Sequence, residues 1–503
     1  MTTISDIRSG LIDKILLTNY PLNNKMFIFV KLIKQEVVNK FYTKIVKTTT
    51  IVASLLAVTT TQAQNSLWAW GWNGSGQLGI GNTNNQYSSS PVQAGTDTDW
   101  SQISAGDVHS LAIKSNGTLW AWGWNGSSGR LGTGNTNIQY SSSPVQVGTA
   151  TNWTKIYAGI GHSFAIKSDG TLWAWGQNIY GELGIGNTNI QYSSSPVQVG
   201  TATNWLQVSA GVGNTLALKS DGTLWAWGYG IYGKLGTGNV NNQHSPVQVG
   251  TATNWALISA GQYHSLAIKS DGTLWAWGEN DKGQLGIGNT TNQNSPVQIG
   301  TATNWVQVDA GIGYSFALKS DGTLWAWGNG NLGQLGTGNT IDQNSPVQVG
   351  TDTNWTQINI GANYSLALKT NGTLWAWGDN TLGQLGIGNT TQQNNPVQIG
   401  TVTNGASISA GGGHILSFVN PTASIDKNEI KNFVVYPNPA NSILNIDSNA
   451  QEGIKITIVD IAGKTLAEQT LKTGNNTINI SSFANGVYFI KTEKGGVMKF
   501  VKN

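Results

Sequence analysis

Across 503 residues the chain holds 65 Gly, 22 Trp and no Cys, with 39% hydrophobic and only 10% charged side chains. That balance can bury a core, which excludes a disordered chain, and glycine without a three-residue period excludes collagen. The missing cysteine excludes disulfide scaffolds and thiolate metal sites. The net charge of +3 belongs to the ends. Residues 1–64 carry eight Lys/Arg against three Asp/Glu, residues 65–419 ten against fourteen, and residues 420–503 nine against seven. The acidic middle disfavours nucleic acid as a partner.

The first element is an address. Lys40, Lys44 and Lys47 precede the apolar run Ile51 to Val58, and small or polar residues follow to Ala63. A basic segment, a short apolar segment and a small-residue exit read as a secretory signal peptide, with an N-terminal membrane anchor as the alternative. Residues 1–64 are therefore taken as an N-terminal extension and signal, with initiation at Met26. The run falls short of the roughly 20 residues that cross a bilayer. No other segment is apolar enough to cross a membrane, so no integral membrane segment is expected in the mature chain.

From there Leu-Trp-Ala-Trp-Gly recurs with its first Trp at positions 68, 120, 173, 225, 275, 325 and 375, at spacings of 52, 53, 52, 50, 50 and 50. Repeats of this length indicate a propeller, a solenoid or an array. One unit reads Trp205 to Gly211, Thr215 to Ser220, Asp221-Gly222, Thr223 to Gly228, a glycine-rich stretch, and Ser245 to Gly250. Each apolar piece is short, alternating and rich in β-branched or aromatic residues, so each reads as a strand. Asp-Gly or Asn-Gly between two such runs predicts a type I′ hairpin. Four strands per unit match a propeller blade.

The phase of the repeat predicts closure. The chain enters mid-blade at Leu67-Trp68, and residues 406–418 supply only a front half, Ala406 to Gly411 and His414 to Phe418. Six complete blades and two complementary halves make seven, and a blade shared by both ends leaves no open seam.

These units resemble repeats of the regulator of chromosome condensation family. One copy stands as Ala260-Gly261-Gln262-Tyr263-His264-Ser265, Asp271-Gly272, Trp277-Gly278 and Gly283-Gln284-Leu285-Gly286-Ile287-Gly288. The resemblance covers about residues 65–419 and implies a seven-bladed β-propeller. The family's best-known activities are nucleotide exchange on a nuclear GTPase and chromatin binding. Neither is expected here: the repeat lengths leave no room for a large wedge insertion, and the basic N-terminal segment reads as a signal. No small GTPase and no nucleic acid are expected as partners. A secreted bacterial β-lactamase inhibitor of the same family, a pure binding surface, is the closer functional analogue.

After a polar linker at 420–432, residues 433–503 alternate again, with Asn and Gly turns, as a small Ig-like β-sandwich of six or seven strands. Tyr436-Pro437-Asn438-Pro439, Gly463-Lys464 and Gly486-Val487-Tyr488 resemble the motifs of the C-terminal sorting domain of the bacterial type IX secretion system. That resemblance implies a Bacteroidota-type cell, handling by the type IX machinery, and a protein released or held at the outer surface. The fold class is thus all-β: a seven-bladed propeller followed by a sandwich.

Chemistry is sparse. None of the Gly-x-Gly strings opens a helix, so they are turns and not phosphate loops. His109, His162, His264 and His414 share one repeat register, but Asn214, Tyr314 and Tyr364 fill it elsewhere. Such a ring is a poor metal site, and a hydrogen bond to local backbone is the better reading. Only Arg8 and Arg130 are arginines, which excludes sialidase-type clamping of a carboxylate. No metal, cofactor or catalytic residue is expected.

Positions that differ between nearly identical blades are those the fold leaves free. The residue after each Trp-Gly is one: Trp72, Trp124, Gln177, Tyr229, Glu279, Asn329 and Asp379. Tyr180 and Tyr232 stand nearby, where later blades have Lys282, Leu332 and Leu382. Trp and Tyr anchor interfaces and sugar platforms. Trp72, Trp124, Tyr180, Tyr229, Tyr232, Glu279 and Asp379 are therefore the expected ligand-binding residues. The leading expectation is a non-catalytic secreted or surface protein that binds an extracellular protein or glycan on one propeller face. An extracellular glycan- or peptide-acting enzyme and a structural matrix protein are the alternatives.

Overall fold

Each repeat closes into one antiparallel four-stranded sheet, and seven such sheets are present. The computed structural model describes residues 66–187, 189–400, 407–418, 433–436, 440–448, 453–460, 464–492 and 497–502. The segments expected to be a signal peptide, 1–64, and a linker, 420–432, together with Pro437, Asn438, Pro439 and Gly463, lie outside the described residues. With blade one as the sheet containing Trp68, blade four consists of Trp205–Ala210, Asn214–Lys219, Leu224–Gly228 and Gln243–Gln248. The first of these lines a central channel together with its counterparts from all seven blades. The last is the outer edge.

The second Trp of Leu-Trp-Ala-Trp-Gly bolts neighbouring blades together. Trp227 is fully buried, and its Nε1 donates to Glu182 O of blade three at 2.9 Å. The bond recurs around the ring and across the seam, where Trp70 Nε1 donates to Gln384 O at 3.1 Å. A Cβ on Gly184 would stand 2.7 Å from Trp227 Nε1, so only glycine admits the indole there. The first Trp does different work. Lys219 Nζ lies 4.8 Å from the Trp205 ring centroid and 3.9 Å from that of Trp225, a cation–π cage. Blades two to seven each repeat it, for example with Lys369 between Trp355 and Trp375.

The hairpins correct one expectation. A type I′ turn needs positive φ at both central residues, yet Tyr232 is the one non-glycine residue with positive φ among the described residues. The turn instead closes Gly222 N onto Lys219 O at 3.0 Å, and glycine alone takes the left-handed conformation at φ +76°. Asp221 serves by accepting from Thr223 N and Thr223 Oγ1 at 3.0 and 2.6 Å, and Thr223 Oγ1 accepts from Trp225 Nε1 at 2.8 Å. The aspartate thus orients one wall of the cage.

Closure is as the phase implies. Trp68–Trp72 pairs antiparallel with His414–Ser417, placing Trp70 opposite Ile415, and Ile408–Ala410 completes the sheet on its channel side. Polar side chains lining the channel knit the blades. Ser104 Oγ accepts from Ala158 N at 2.9 Å, Ser209 Oγ from Ala260 N at 2.9 Å, and Ser409 Oγ from Ala105 N at 2.9 Å across the seam. Asp309 takes the same register and accepts from Ile360 N at 2.9 Å, and burial pushes its carboxyl up to about 6.

The C-terminal strands form two further sheets. Phe433–Tyr436, Ile443–Ser448 and Gly474–Asn479 make one, and Ile454–Asp460, Thr465–Leu471, Gly486–Thr492 and Val497–Lys502 the other. Leu444, Ile446, Ile456, Ile458, Ile490 and Phe500 are buried in a core of their own. Tyr488 belongs to it, stacked on Phe500 with centroids 5.5 Å apart, and its hydroxyl donates to Ala484 O at 2.6 Å. Tyr436 is exposed on the first strand, and Lys464 closes the Asp460 hairpin. Among the described residues no helix is long and apolar enough to cross a membrane.

Candidate functional site

At the Trp-Gly step the strand ladder slips, between Ala226 and Gly228 in blade four. The next residue is then pinned to the loop that ends at the channel. Tyr229 N donates to Gly213 O at 2.7 Å, Glu279 N to Tyr263 O at 2.9 Å, and Trp72 N to Gly413 O at 2.8 Å. The same bond places the residue after Trp-Gly of all seven blades beside a loop that ends at the channel. These positions are where the blades stop being copies of one another.

On blades three to five the structure gathers an aromatic cluster. The rings of Tyr180 and Tyr229 stack at 4.2 Å with an interplanar angle of 18°. Tyr232 meets Tyr263 edge-on at 5.5 Å. Between them lies Lys234, fully buried, with Nζ 4.9 Å from the Tyr229 centroid and 5.0 Å from that of Tyr263. The ammonium donates to Val212 O at 2.6 Å and Gln262 O at 3.2 Å. Burial holds it down to about 7, while the Glu182 and Glu279 carboxylates pull in the opposite direction. Tyr232 is 37% exposed and is held at φ +58°, a strained conformation for a tyrosine.

Lys234 occupies a register that holds glutamine in four blades. Gln284 Oε1 accepts from Lys282 N at 2.8 Å, and Gln77, Gln334 and Gln384 do the same with Ser75, Leu332 and Leu382. Blades two, three and four replace this glutamine by Arg130, Glu182 and Lys234. Glu182 Oε2 keeps the bond, accepting from Tyr180 N at 2.6 Å, and burial raises its carboxyl. Arg130 Nη1 reaches Ile160 O at 3.5 Å, and burial lowers its guanidinium while the nearby Asp107 opposes that shift.

Of the residues expected from sequence, Tyr180, Tyr229 and Tyr232 meet in this cluster, with Glu279 at its edge. Tyr263, Lys234 and Glu182 are members that the reading of Trp-Gly positions missed. Their signal was the loss of glutamine in Gly-Gln-Leu-Gly. Trp72 and Trp124 are not brought into it. They lie half-buried on blades one and two, against glycines of their own loops: a Cβ on Gly74 or Gly126 would stand 2.7 Å from the respective indole Nε1. Asp379 lies on blade seven, where it accepts from Gln384 Nε2 at 2.9 Å and Thr381 N at 3.0 Å. Glu279 and Asp281 both accept from Gln284 Nε2, at 3.2 and 3.3 Å.

The histidine register is structural, but its partners lie in the next blade and not in local backbone. His109 Nε2 meets Ser163 Oγ at 2.8 Å, His264 Nε2 meets Ser315 Oγ at 2.8 Å, and His414 Nε2 meets Ser110 Oγ at 2.9 Å. These hydroxyls spend their own protons on Arg130 O, Gln284 O and Gln77 O. The imidazole therefore donates from Nε2, leaving Nδ1 a buried acceptor without a partner. Tyr314 and Tyr364 bridge to the next blade through hydroxyls that donate to Tyr364 O at 2.7 Å and His414 O at 2.9 Å.

Comparison with known proteins agrees with this architecture. A family model described as RCC1-like domain matches residues 30–311 and 148–417, and one described as secretion system C-terminal sorting domain matches 434–503. The Ultraviolet-B receptor UVR8 of Arabidopsis thaliana is 32% identical over 163 residues, 32% of this chain and 37% of the receptor. The mouse E3 ubiquitin-protein ligase HERC2 is 30% identical over 189 residues, 37% of this chain and 4% of the ligase. The chain thus spans well under two thirds of these relatives. Among solved structures, yeast Prp20p from Saccharomyces cerevisiae superposes with a TM-score of 0.65 at 21% identity, over 74% of this chain and 96% of its own. Human WBSCR16 gives 0.64 at 23% identity, over 70% and 99%. At these identities the likeness concerns the fold alone. The sorting domain marks a secreted or cell-surface protein of a Bacteroidota-type bacterium, handled by the type IX machinery. With matches running from residue 30 to residue 417, the chain belongs to the RCC1-like domain family.

Proposed function

We propose that this is a non-catalytic binding protein that presents the channel-mouth face of its propeller to an extracellular ligand, with Tyr180, Tyr229, Tyr232 and Tyr263 as the contact residues. The observation that carries the reading is the tyrosine cluster over buried Lys234: other blades have Ser, Lys or Leu in place of Tyr180 and Tyr232, and Val, Gly or Asn in place of Tyr263, while the Tyr229 register varies from Trp to Asp. The fold does not require these side chains, and an exposed tyrosine in a strained conformation is retained at a cost. Catalysis is the weaker reading because the nearby carboxylates are engaged: Glu279 and Asp281 with Gln284, and Glu182 with its own loop. The type IX machinery acting through residues 433–503, including Tyr436, Lys464, Gly486 and Tyr488, delivers the propeller to the outer surface in this reading.

Capture of ligand by the full chain from glycan, cell-envelope and secreted-protein pools tests it. A Tyr229→Ala, Tyr263→Ala double variant is expected to lose at least about 10-fold in affinity for the captured species, whereas Trp72→Ala and Trp124→Ala leave it unchanged. A folded double variant with full affinity would move the site off this cluster. Turnover of the captured species would replace binding by catalysis.

A further inference from the structure

The outer strands of blades one to three differ from those of the other four. They are Tyr87–Gln93, Tyr140–Gln146 and Tyr192–Gln198, all reading Tyr-Ser-Ser-Ser-Pro-Val-Gln, where blade four has Gln243–Gln248. In each, four residues separate Gln from Pro where the later blades have two. Those insertions bring a tyrosine to the surface each time, 45%, 46% and 49% exposed. Tyr87 pairs across the ladder with Trp72, Tyr140 with Trp124 and Tyr192 with Gln177. The serines repeat one local conformation: Ser88, Ser141 and Ser193 donate through Oγ to Ser90 O, Ser143 O and Ser195 O at 2.6, 2.7 and 2.7 Å. Neighbouring modules are joined to adjacent blades, with Gly81 N donating to Ser142 O and Gly134 N to Ser194 O, both at 2.8 Å.

Three features of this rim fix the chemistry it suits. It is uncharged: residues 82–93, 135–146 and 187–198 contain no Asp, Glu, Lys or Arg. That disfavours acidic polymers, which need cations, and charge-steered protein partners. It is rich in amide and hydroxyl groups beside each exposed ring, a combination that offers an apolar face together with hydrogen bonds to hydroxyls. Finally, it is the same module three times on successive blades. Identical sites in a regular array gain affinity together only for a ligand that itself repeats.

We propose that the three Tyr-Ser-Ser-Ser modules form a multivalent site for a neutral glycan, with one sugar residue stacking on each of Tyr87, Tyr140 and Tyr192. It shares with the functional reading above only the premise that the propeller binds something outside the cell, and it uses different residues. The full chain is titrated with short and long oligomers of neutral β-1,3-, β-1,4- and α-1,4-glucans, with alginate as the acidic comparison. Neutral oligomers of one linkage are expected to bind, the long ones at least about 10-fold tighter than the short. Each single Tyr→Ser substitution costs about 5- to 10-fold and the triple Tyr87→Ser, Tyr140→Ser, Tyr192→Ser at least about 100-fold. Being exposed, these substitutions leave the thermal midpoint in place, and Tyr229→Ala with Tyr263→Ala leaves glucan binding untouched. The proposal is overturned if no neutral oligomer binds, if alginate binds equally well, or if the folded triple variant retains its affinity. It is equally overturned if the triple variant loses only self-association or a protein partner.

Discussion

Lys234 is a fully buried amine, flanked by the rings of Tyr229 and Tyr263 and donating to two backbone carbonyls. Four sister blades manage the same register with glutamine, so the charge is not needed to build a blade. Its folded value near 7 against an ordinary 10.5 fixes the sign of the pH dependence. Between those values the unfolded chain holds a proton that the folded chain has released, so stability rises with pH across the window. Raising the pH from 6 to 9.5 should therefore stabilise the protein by about 3 kcal/mol through this group. In Lys234→Gln that increment should disappear while ligand affinity at the tyrosine cluster falls, because Tyr229 and Tyr263 lose the cation that spaces them. Urea titrations at the two pH values check the first, and an unchanged increment would mean the amine is solvated. The residue was legible in sequence only as a departure from Gly-Gln-Leu-Gly. Nothing local indicates that this glutamine side chain lies buried beneath the channel mouth.

At the scale of strands, Asp-Gly or Asn-Gly marks the hairpin between the second and third strands of blades two to seven, but the turn is not the type I′ that the dipeptide suggests. Which residues take positive φ depends on a register that the dipeptide does not encode. The histidines were misplaced for a related reason. Their partners are serine or threonine hydroxyls of the neighbouring blade, and a 50-residue spacing says nothing about which side of a blade meets the next. Once placed, they carry a pH signature opposite in use to ordinary histidine. Burial holds His162, His264 and His414 down to about 3 and His109 well below its usual 6.5. Below about 6.5 the unfolded chain binds protons that the folded chain refuses, so stability falls as pH drops, by about 1.4 kcal/mol per histidine per pH unit. His264→Asn, which copies blade four, should cost about 1 kcal/mol at pH 7 through the lost bond to Ser315. At pH 5 it should recover about 2 kcal/mol relative to the parent, because one proton fewer is taken up on unfolding. Chemical denaturation at both pH values measures this. Equal losses at pH 7 and pH 5 would show that His264 is already protonated in the fold.

At the scale of the whole ring, closure was legible because it depends only on where the chain enters and leaves its repeat, whereas the asymmetry of the face required side chains in place. The seam joins residues separated by more than 300 positions, so it forms last in any order that builds blades from local contacts. Deleting residues 407–418 would strip the partner strand from Trp68–Trp72 and uncover Trp70. It would also remove Ile408, Ile415 and Leu416, each at least 95% buried. At about 1.5–3 kcal/mol for each such side chain, before any backbone bond is counted, the loss is on the order of 5 kcal/mol or more. The thermal midpoint should drop by about 7 °C or more, with aggregation through the two opened edges. Removing residues 433–503 should leave the midpoint of the propeller within about 2 °C, since the C-terminal strands keep a core of their own. Calorimetry on the two truncations separates these outcomes, and equal midpoints would mean that the shared blade does not hold the ring shut.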